Sequence, residues 1–307
     1  MSLQPHLDDL LELRHKARTL GLASHHLVNS KFSGLYASVF PGFGLDFEEV
    51  REYREGDDIR NMDWNVTART NLPHMKVFKE EREREVMICV DAAAHMNFGT
   101  RGTFKSVQAA RAAALLGWAA NNHHDRVGGL LFGREGIEYF RPERGRRGLW
   151  RLLHGLSRAP QAGAAGAREQ GRIADALVKL AKGAGTGSLV FVVGEFNRDC
   201  ADLERPLGHL RQRHNVMLLP VDDPADSEIP AMGRVAFRTL SGELLEVDTD
   251  DPEGRAAYAG AWEGRRRELL NMTNRLGISL QPLRTNEDVH RALAEGLQRR
   301  RSVRAEV

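Results

Sequence analysis

The sequence predicts a doubly wound α/β fold, a mostly parallel sheet with helices on both faces, carrying a small N-terminal β-rich region and one inserted β-hairpin. Three observations predict it. Short apolar runs such as VMICVD (86–91), SLVFVVGEF (188–196) and NVMLLPV (215–221) are hydrophobic at successive positions, which suits strands covered on both faces. Amphipathic stretches of helical period separate them, and each such crossover lays a helix over the sheet. The 307 residues are enough to bury a sizeable core.

In chain order, residues 6–20 carry Leu7, Leu10, Leu11, Leu13 and Leu20 at mixed helical spacing and predict a short helix. Residues 33–47, with glycines and Pro41, predict loop and irregular β structure. Between positions 48 and 85, 11 acids and 8 bases fill half of 38 positions. Val50, Tyr53, Ile59, Met62, Trp64, Val77 and Phe78 are interleaved there, so the segment is expected to pack and to pair its charges. The strand at 86–91 opens the α/β part. A helix follows at 103–121, with Phe104, Val107, Ala110, Ala114, Leu115 and Trp118 at steps of three and four. RVGGLLF (126–132) and GIEYF (136–140) predict paired strands, 146–157 a helix, and the Ala/Gly-rich 160–171 a connection. Next come a helix at 173–184, the strand at 188–196, a helix at 202–214 and the strand at 215–221. The stretch 233–249 predicts two strands about a Ser-Gly turn, 254–276 a long helix, 278–284 a last strand and 287–301 a final helix. The expected organisation is residues 1–85 as an N-terminal helix and β/irregular region, 86–301 as the α/β domain, and 302–307 as a basic tail.

Composition narrows the function. Lys and Arg number 44 against 42 acids, a formal net charge of +2, which predicts no strongly polyanionic partner. Arginine clusters at 141–151, 265–267 and 299–304 lack an accompanying aromatic stripe, so nucleic-acid binding stands only as a second alternative. Cys89 and Cys200 form no CxxC pair, which excludes a disulfide scaffold or a cysteine zinc cluster. The apolar runs are too short to span a bilayer, and the charged start lacks the apolar core of a signal peptide. No membrane span and a cytoplasmic location are therefore expected. Neither GxSxG nor HExxH occurs.

The loop GTRGTFKS (99–106) follows a strand and ends in Lys-Ser like a Walker A loop. Phe104 takes the place of the glycine that lets such a backbone close over phosphates, so Lys105 is read as a first-turn surface residue. Adjacent His25-His26 and His123-His124 point apart on a helix and predict no chelate. Ligands of doubly wound sheets gather at the carboxyl ends of the strands, and two such ends carry acids, Asp91 and Glu195. With His95 these form the candidate metal set, suited by ligand type to Zn²⁺ or Mn²⁺. Mg²⁺ asks for hard oxygens instead. The expectation is that no cofactor is bound.

The segment FEEVREYREGDDIRNMDWNVTAR (47–69) resembles the hallmark of the DUF58 family, (R)EYxxGDDxRxxDWxxxAR, through Arg51, Tyr53, Gly56, Asp57, Asp58, Arg60, Asp63, Trp64 and Arg69. The likeness continues through KVFKEE (76–81) to Asp91 and through DRVG (125–128). It implies a von Willebrand factor A-like, Rossmann-type domain behind a family-specific β-rich region. It also implies partnership with MoxR-type AAA+ ATPases and with other von Willebrand factor A-like proteins, in an adaptor or chaperone-like role. The metal-ion-dependent adhesion site of such domains is Asp-x-Ser-x-Ser. Here those positions are Asp91, Ala93 and His95, and the later Ser-Asp-Phe reads Gly194-Glu195-Phe196, so a degenerate site is expected. Within the hallmark, Gly56-Asp57-Asp58 predicts a turn, Arg60, Asp63 and Arg69 are expected to interlock as ion pairs, and Trp64 to be a buried apolar anchor. The expected function is a non-enzymatic protein-interaction or adaptor module working with a MoxR-type AAA+ ATPase. The alternatives are a metal-dependent enzyme (Mg, Mn or Zn) or metal-mediated receptor using Asp91, Glu195 and His95, and nucleic-acid binding.

Overall fold

Residues 3–26, 45–53, 62–80, 84–133, 136–158, 173–197, 200–238 and 243–295 are described by the computed structural model of the chain. The N-terminal helix α1 (Leu7–His26) buries Leu10 and Ala17 against the core. Two strands, β1 (Leu45–Glu52) and β2 (His74–Glu80), form an antiparallel ribbon with a bulge between Phe47 and Glu49. Between them lies the short helix α2 (Trp64–Thr70), started by Asp63, whose carboxylate accepts the N–H groups of Asn65 and Val66. Asn71, in the left-handed region at φ 57°, ends it.

The main sheet comprises β3 (Glu85–Asp91), β4 (Arg126–Phe132), β5 (Glu138–Arg144), β6 (Leu189–Gly194), β7 (Asn215–Asp222), and the two-residue strands β10 (Ser279–Leu280) and β11 (Leu283–Arg284). Its order is β10-β7-β6-β3-β4-β5, with β11 also on β7; every pairing is parallel except that of the edge strand β5 with β4. The last strand expected at 278–284 is thus two short pieces. Pro282, without an N–H for the ladder, sits in the break between them. Strands β3, β6 and β7 are buried along almost their whole length, as the unbroken apolar runs require.

Helices α3 (Lys105–Asn122) and α4 (Arg146–Ser157) cover one face together with α1, closing on Val86, Ile88 and Val90 of β3. Helices α5 (Ile173–Gly183), α6 (Glu204–Arg213) and α8 (Pro252–Leu276) cover the other, closing on Met87 and Cys89. Alternate residues of one strand therefore serve two separate cores. The remaining elements are the single turn α7 (Pro224–Ser227), the hairpin β8 (Arg234–Arg238) and β9 (Leu244–Asp248), and α9 over 289–295. The connection expected at 160–171 and the tail at 302–307 lie outside the described residues.

Helix α3 is Ala-rich and buried nearly all round, which lets α1, α4 and the sheet approach it together. The Trp118 indole donates to the Leu10 carbonyl at 3.1 Å, tying α1 to it. Strand β4 depends on Gly129: a Cβ there would stand 2.6 Å from the Ile88 carbonyl oxygen and 2.8 Å from Leu152. Gly129→Ala is therefore expected to lower stability by about 1–3 kcal/mol. Urea unfolding should show an earlier midpoint at unchanged slope; an unmoved midpoint would mean that β4 slides freely past β3.

Candidate functional site

From β3 the chain runs to β4 and β5 on one side, then returns to β6 and β7 on the other. The reversal leaves a crevice between the carboxyl ends of β3 and β6, where doubly wound sheets place their ligands. Asp91 closes β3 and Glu195 directly follows β6. Gly194 makes their approach possible, because a Cβ at that position would lie 2.7 Å from the Asp91 Cβ.

The structure brings the three predicted residues together. Asp91 Oδ1 accepts the Ala93 N–H at 2.9 Å, which turns Oδ2 toward His95 Nε2 at 3.0 Å. His95 rides on a single 3-10 turn, Ala94–Met96, and its Nε2 is 3.9 Å from Glu195 Oε2. Among the described residues, no group of three or more His, Cys, Asp and Glu side chains is arranged to hold a metal ion.

A further charge occupies the crevice. Lys105, expected on the surface, is 1% exposed. Its Nζ lies 3.3 Å from Glu195 Oε2 and 2.8–2.9 Å from both oxygens of Asp226, with the Phe98 ring 5.5 Å away. The correction has a physical reason: α3 is covered almost all round, so its first turn has no solvent face to offer a lysine. Asp226 belongs to α7, which leaves the carboxyl end of β7. Burial pushes its carboxyl above the ordinary aspartate range, and Lys105 pulls the other way.

Asp222 at the end of β7 pairs with Arg266 of α8. Burial raises its carboxyl too, opposed by Arg266 and reinforced by Asp226. Next to it, buried Asp223 caps α7 through Ala225 N–H and accepts the Thr100 N–H and the hydroxyls of Thr100 and Thr285. These bonds fasten the 99–104 loop to β7. Burial alone would raise the Asp223 carboxyl, but the hydrogen bonds from Thr100, Thr285 and Ala225 together hold it below its ordinary range. The DDPADS stretch (222–227) was legible as an acidic strand end of the same kind as Asp91, so it is the signal that would have found these residues.

The hallmark residues lie elsewhere. Gly56, Asp57, Asp58 and Arg60 are outside the described residues, so the turn and the Arg60 ion pair expected there are too. Arg51 pairs by backbone register with Met75, and the Tyr53 N–H donates to the Pro73 carbonyl. Asp63 is buried at the start of α2, and Arg69 is exposed in its last turn. Trp64, expected as a buried anchor, is 67% exposed, because it is the first helical residue and the inward position belongs to its cap, Asp63.

Of the basic clusters, Arg266 serves Asp222 and Arg151 pairs with Glu143. Arg144 and Arg146 line a cavity with Asn121 and His124 where α3 ends and α4 begins. The 299–304 cluster lies outside the described residues. Burial pushes the Cys89 thiol far up, with Asp91 adding to the rise, so it is an inert core residue. No helix among the described residues is long and apolar enough to cross a membrane.

Comparison with known proteins gives a family match. The model of the family described as "Protein of unknown function DUF58" matches residues 49–268. An uncharacterized protein of Mycobacterium bovis and one of Mycobacterium tuberculosis are each 30% identical over 271 residues, which cover 88% of this chain and 84% of theirs. Among solved structures, a von Willebrand factor type A protein from Catenulispora acidiphila is similar at TM-score 0.38 and 12% identity, over 71% of this chain and 43% of that one. The VWA domain of SpRpn10 is similar at TM-score 0.37 and 11% identity, over 69% and 94%.

The Asp223 network generates a stability prediction. Asp223→Ala leaves Thr100, Thr285 and Ala225 without their acceptor, at a cost of about 3 kcal/mol near pH 7. A depressed folded-state value means that the ionised carboxylate's contribution is present above the unfolded aspartate value of about 3.9 and is lost as pH falls through the folded value. Urea titrations at neutral and acid pH should show the gap between wild type and variant narrowing in acid. A gap that widens there contradicts the assignment.

Proposed function

Because the chain belongs to the DUF58 family, we propose that it is a protein-interaction module whose docking face is the carboxyl end of the sheet, and that its partner is a MoxR-type AAA+ ATPase acting on client proteins. One observation carries the docking face. The β8–β9 hairpin is inserted between α7, at the carboxyl end of β7, and α8, whose Tyr258 hydroxyl donates to the Ala225 carbonyl of α7. Its register pairs Val235 with Val247 and Phe237 with Leu245, which puts these four side chains on one face of the ribbon.

Phe237 and Leu245 on that face are exposed, as is Met232 at the base, while Leu244, paired with Arg238, is exposed on the opposite face. A two-stranded ribbon is marginal by itself, and large apolar side chains clustered in water mark a surface that another protein covers. Arg234, Arg238, Glu246 and Asp248 lie on the opposite face of the ribbon, so one side offers apolar contact while the other stays charged. The choice of an AAA+ ATPase rests on the hallmark resemblance at 47–69. In this reading the strand-tip charges hold the docking face in shape and turn over no substrate.

Purified chain and ATPase are expected to associate in a nucleotide-dependent way, as measured by biolayer interferometry. Replacing Phe237 and Leu245 together by Asp should weaken that association about tenfold or more, with the melting temperature within about 2 °C of wild type. Full-strength binding by the double variant moves the docking face elsewhere. No association in any nucleotide state removes the ATPase from the proposal.

A further inference from the structure

We propose that Lys105 is the resident cation of the strand-tip pocket: its ammonium performs the charge-neutralising duty that a divalent ion performs in a carboxylate-lined site, so the pocket needs no metal, and removing the ammonium converts it into a divalent-cation site. The inference concerns the pocket alone and stands whichever protein docks on its rim.

Lys105 sits where a lysine is doubly disfavoured. It is removed from water almost completely, and it is the first residue of α3, at the positive end of the helix dipole. A buried ammonium persists only when carboxylates meet it at close range, and Glu195 and Asp226 do so from two different strand ends. The oxygens a metal would take are already committed. Asp91 Oδ1 holds the Ala93 N–H and Oδ2 faces His95. Both Asp226 oxygens face Nζ, and Oδ2 also accepts the Asp223 N–H at 2.7 Å. Glu195 Oε2 lies between Nζ and His95 Nε2. A divalent ion drawn to Glu195 would share its oxygen with an ammonium 3.3 Å away, and two cations repel strongly in so dry a setting. The present donor set therefore does not fit a hard divalent ion.

Deleting the ammonium reverses the balance. Glu195 and Asp226 then lose the cation between them, while Arg266 stays paired with Asp222. Carboxylate oxygens released from Nζ are the ligands that Mn²⁺ and Mg²⁺ prefer.

The experiment uses the full chain, with Mn²⁺ binding read by electron paramagnetic resonance and melting temperature compared in EDTA and in MnCl₂. Wild type and Lys105→Arg are expected to bind no Mn²⁺ at the pocket and to melt identically in both. Lys105→Ala should bind Mn²⁺ about tenfold or more tighter than wild type and melt higher in MnCl₂ than in EDTA. Adding Glu195→Gln to Lys105→Ala should abolish the gain, which places the ion in the pocket. Wild-type binding of Mn²⁺ that Glu195→Gln removes overturns the proposal, as does a folded Lys105→Ala chain that binds none. Should Lys105→Ala fail to fold in EDTA, recovery of its melting transition on adding Mn²⁺ supports the inference, and failure to recover overturns it.

Discussion

An ammonium held out of water has to be met by negative charge fixed in place, and Lys105 imposes that condition on several connections at once. Glu195 must arrive from β6 and Asp226 from the turn after β7, while the 99–104 loop must deliver the first turn of α3 between them. Asp223 supplies that last requirement by holding both Thr100 and Thr285. The carboxyl end of the sheet is therefore cross-linked by charge and hydrogen bonds over positions separated by more than a hundred residues. Breaking any one leaves a buried charge or donor uncompensated, which is costlier than the pair is stabilising.

Below this polar layer the fold is set by apolar contacts of short range. Strands β3, β6 and β7 present apolar side chains to two separate cores, and Ala-rich α3 brings a backbone close to the sheet without bulky side chains in between. The glycines matter at points of approach: Gly129 where β4 meets β3 and Leu152, and Gly194 where the tips of β3 and β6 nearly touch. The crevice is thus narrow by construction. Its narrowness lets Asp91 and Glu195 flank a single histidine, with Lys105 reaching Glu195 from the other side.

The sheet was legible in the sequence because uninterrupted apolar runs such as VMICVD and NVMLLPV have few other uses in a chain of this composition. The reversal that makes the crevice was legible as acids at strand ends, and Asp91, His95 and Glu195 do meet there. Lys105 was not legible. A lysine in the first turn of a helix is ordinarily solvated, and with Gln108 and Arg111 on the same side Lys105 reads as the start of an outward polar stripe, although Gln108 is buried as well. Trp64 misleads in the opposite sense, since an indole beside a conspicuous motif suggests a core residue while local capping geometry gives Asp63 the inward place. Pairing over long sequence distance is invisible to local pattern, so Asp223 with Thr100 and Thr285 could emerge only from three dimensions.

The feet of the β8–β9 hairpin are clamped. The Thr249 hydroxyl accepts the Met232 N–H and donates to the Gly233 carbonyl, the Asp250 carboxylate takes the Gly233 N–H, and Arg255 of α8 binds the Thr249 carbonyl. A projection whose two legs are bolted to the start of a 25-residue helix behaves as a lever and not as a hinge. Arg266, three turns beyond Arg255 along that helix, pairs with Asp222 at the end of β7, so the feet of the hairpin and the strand tip are held by one rigid rod.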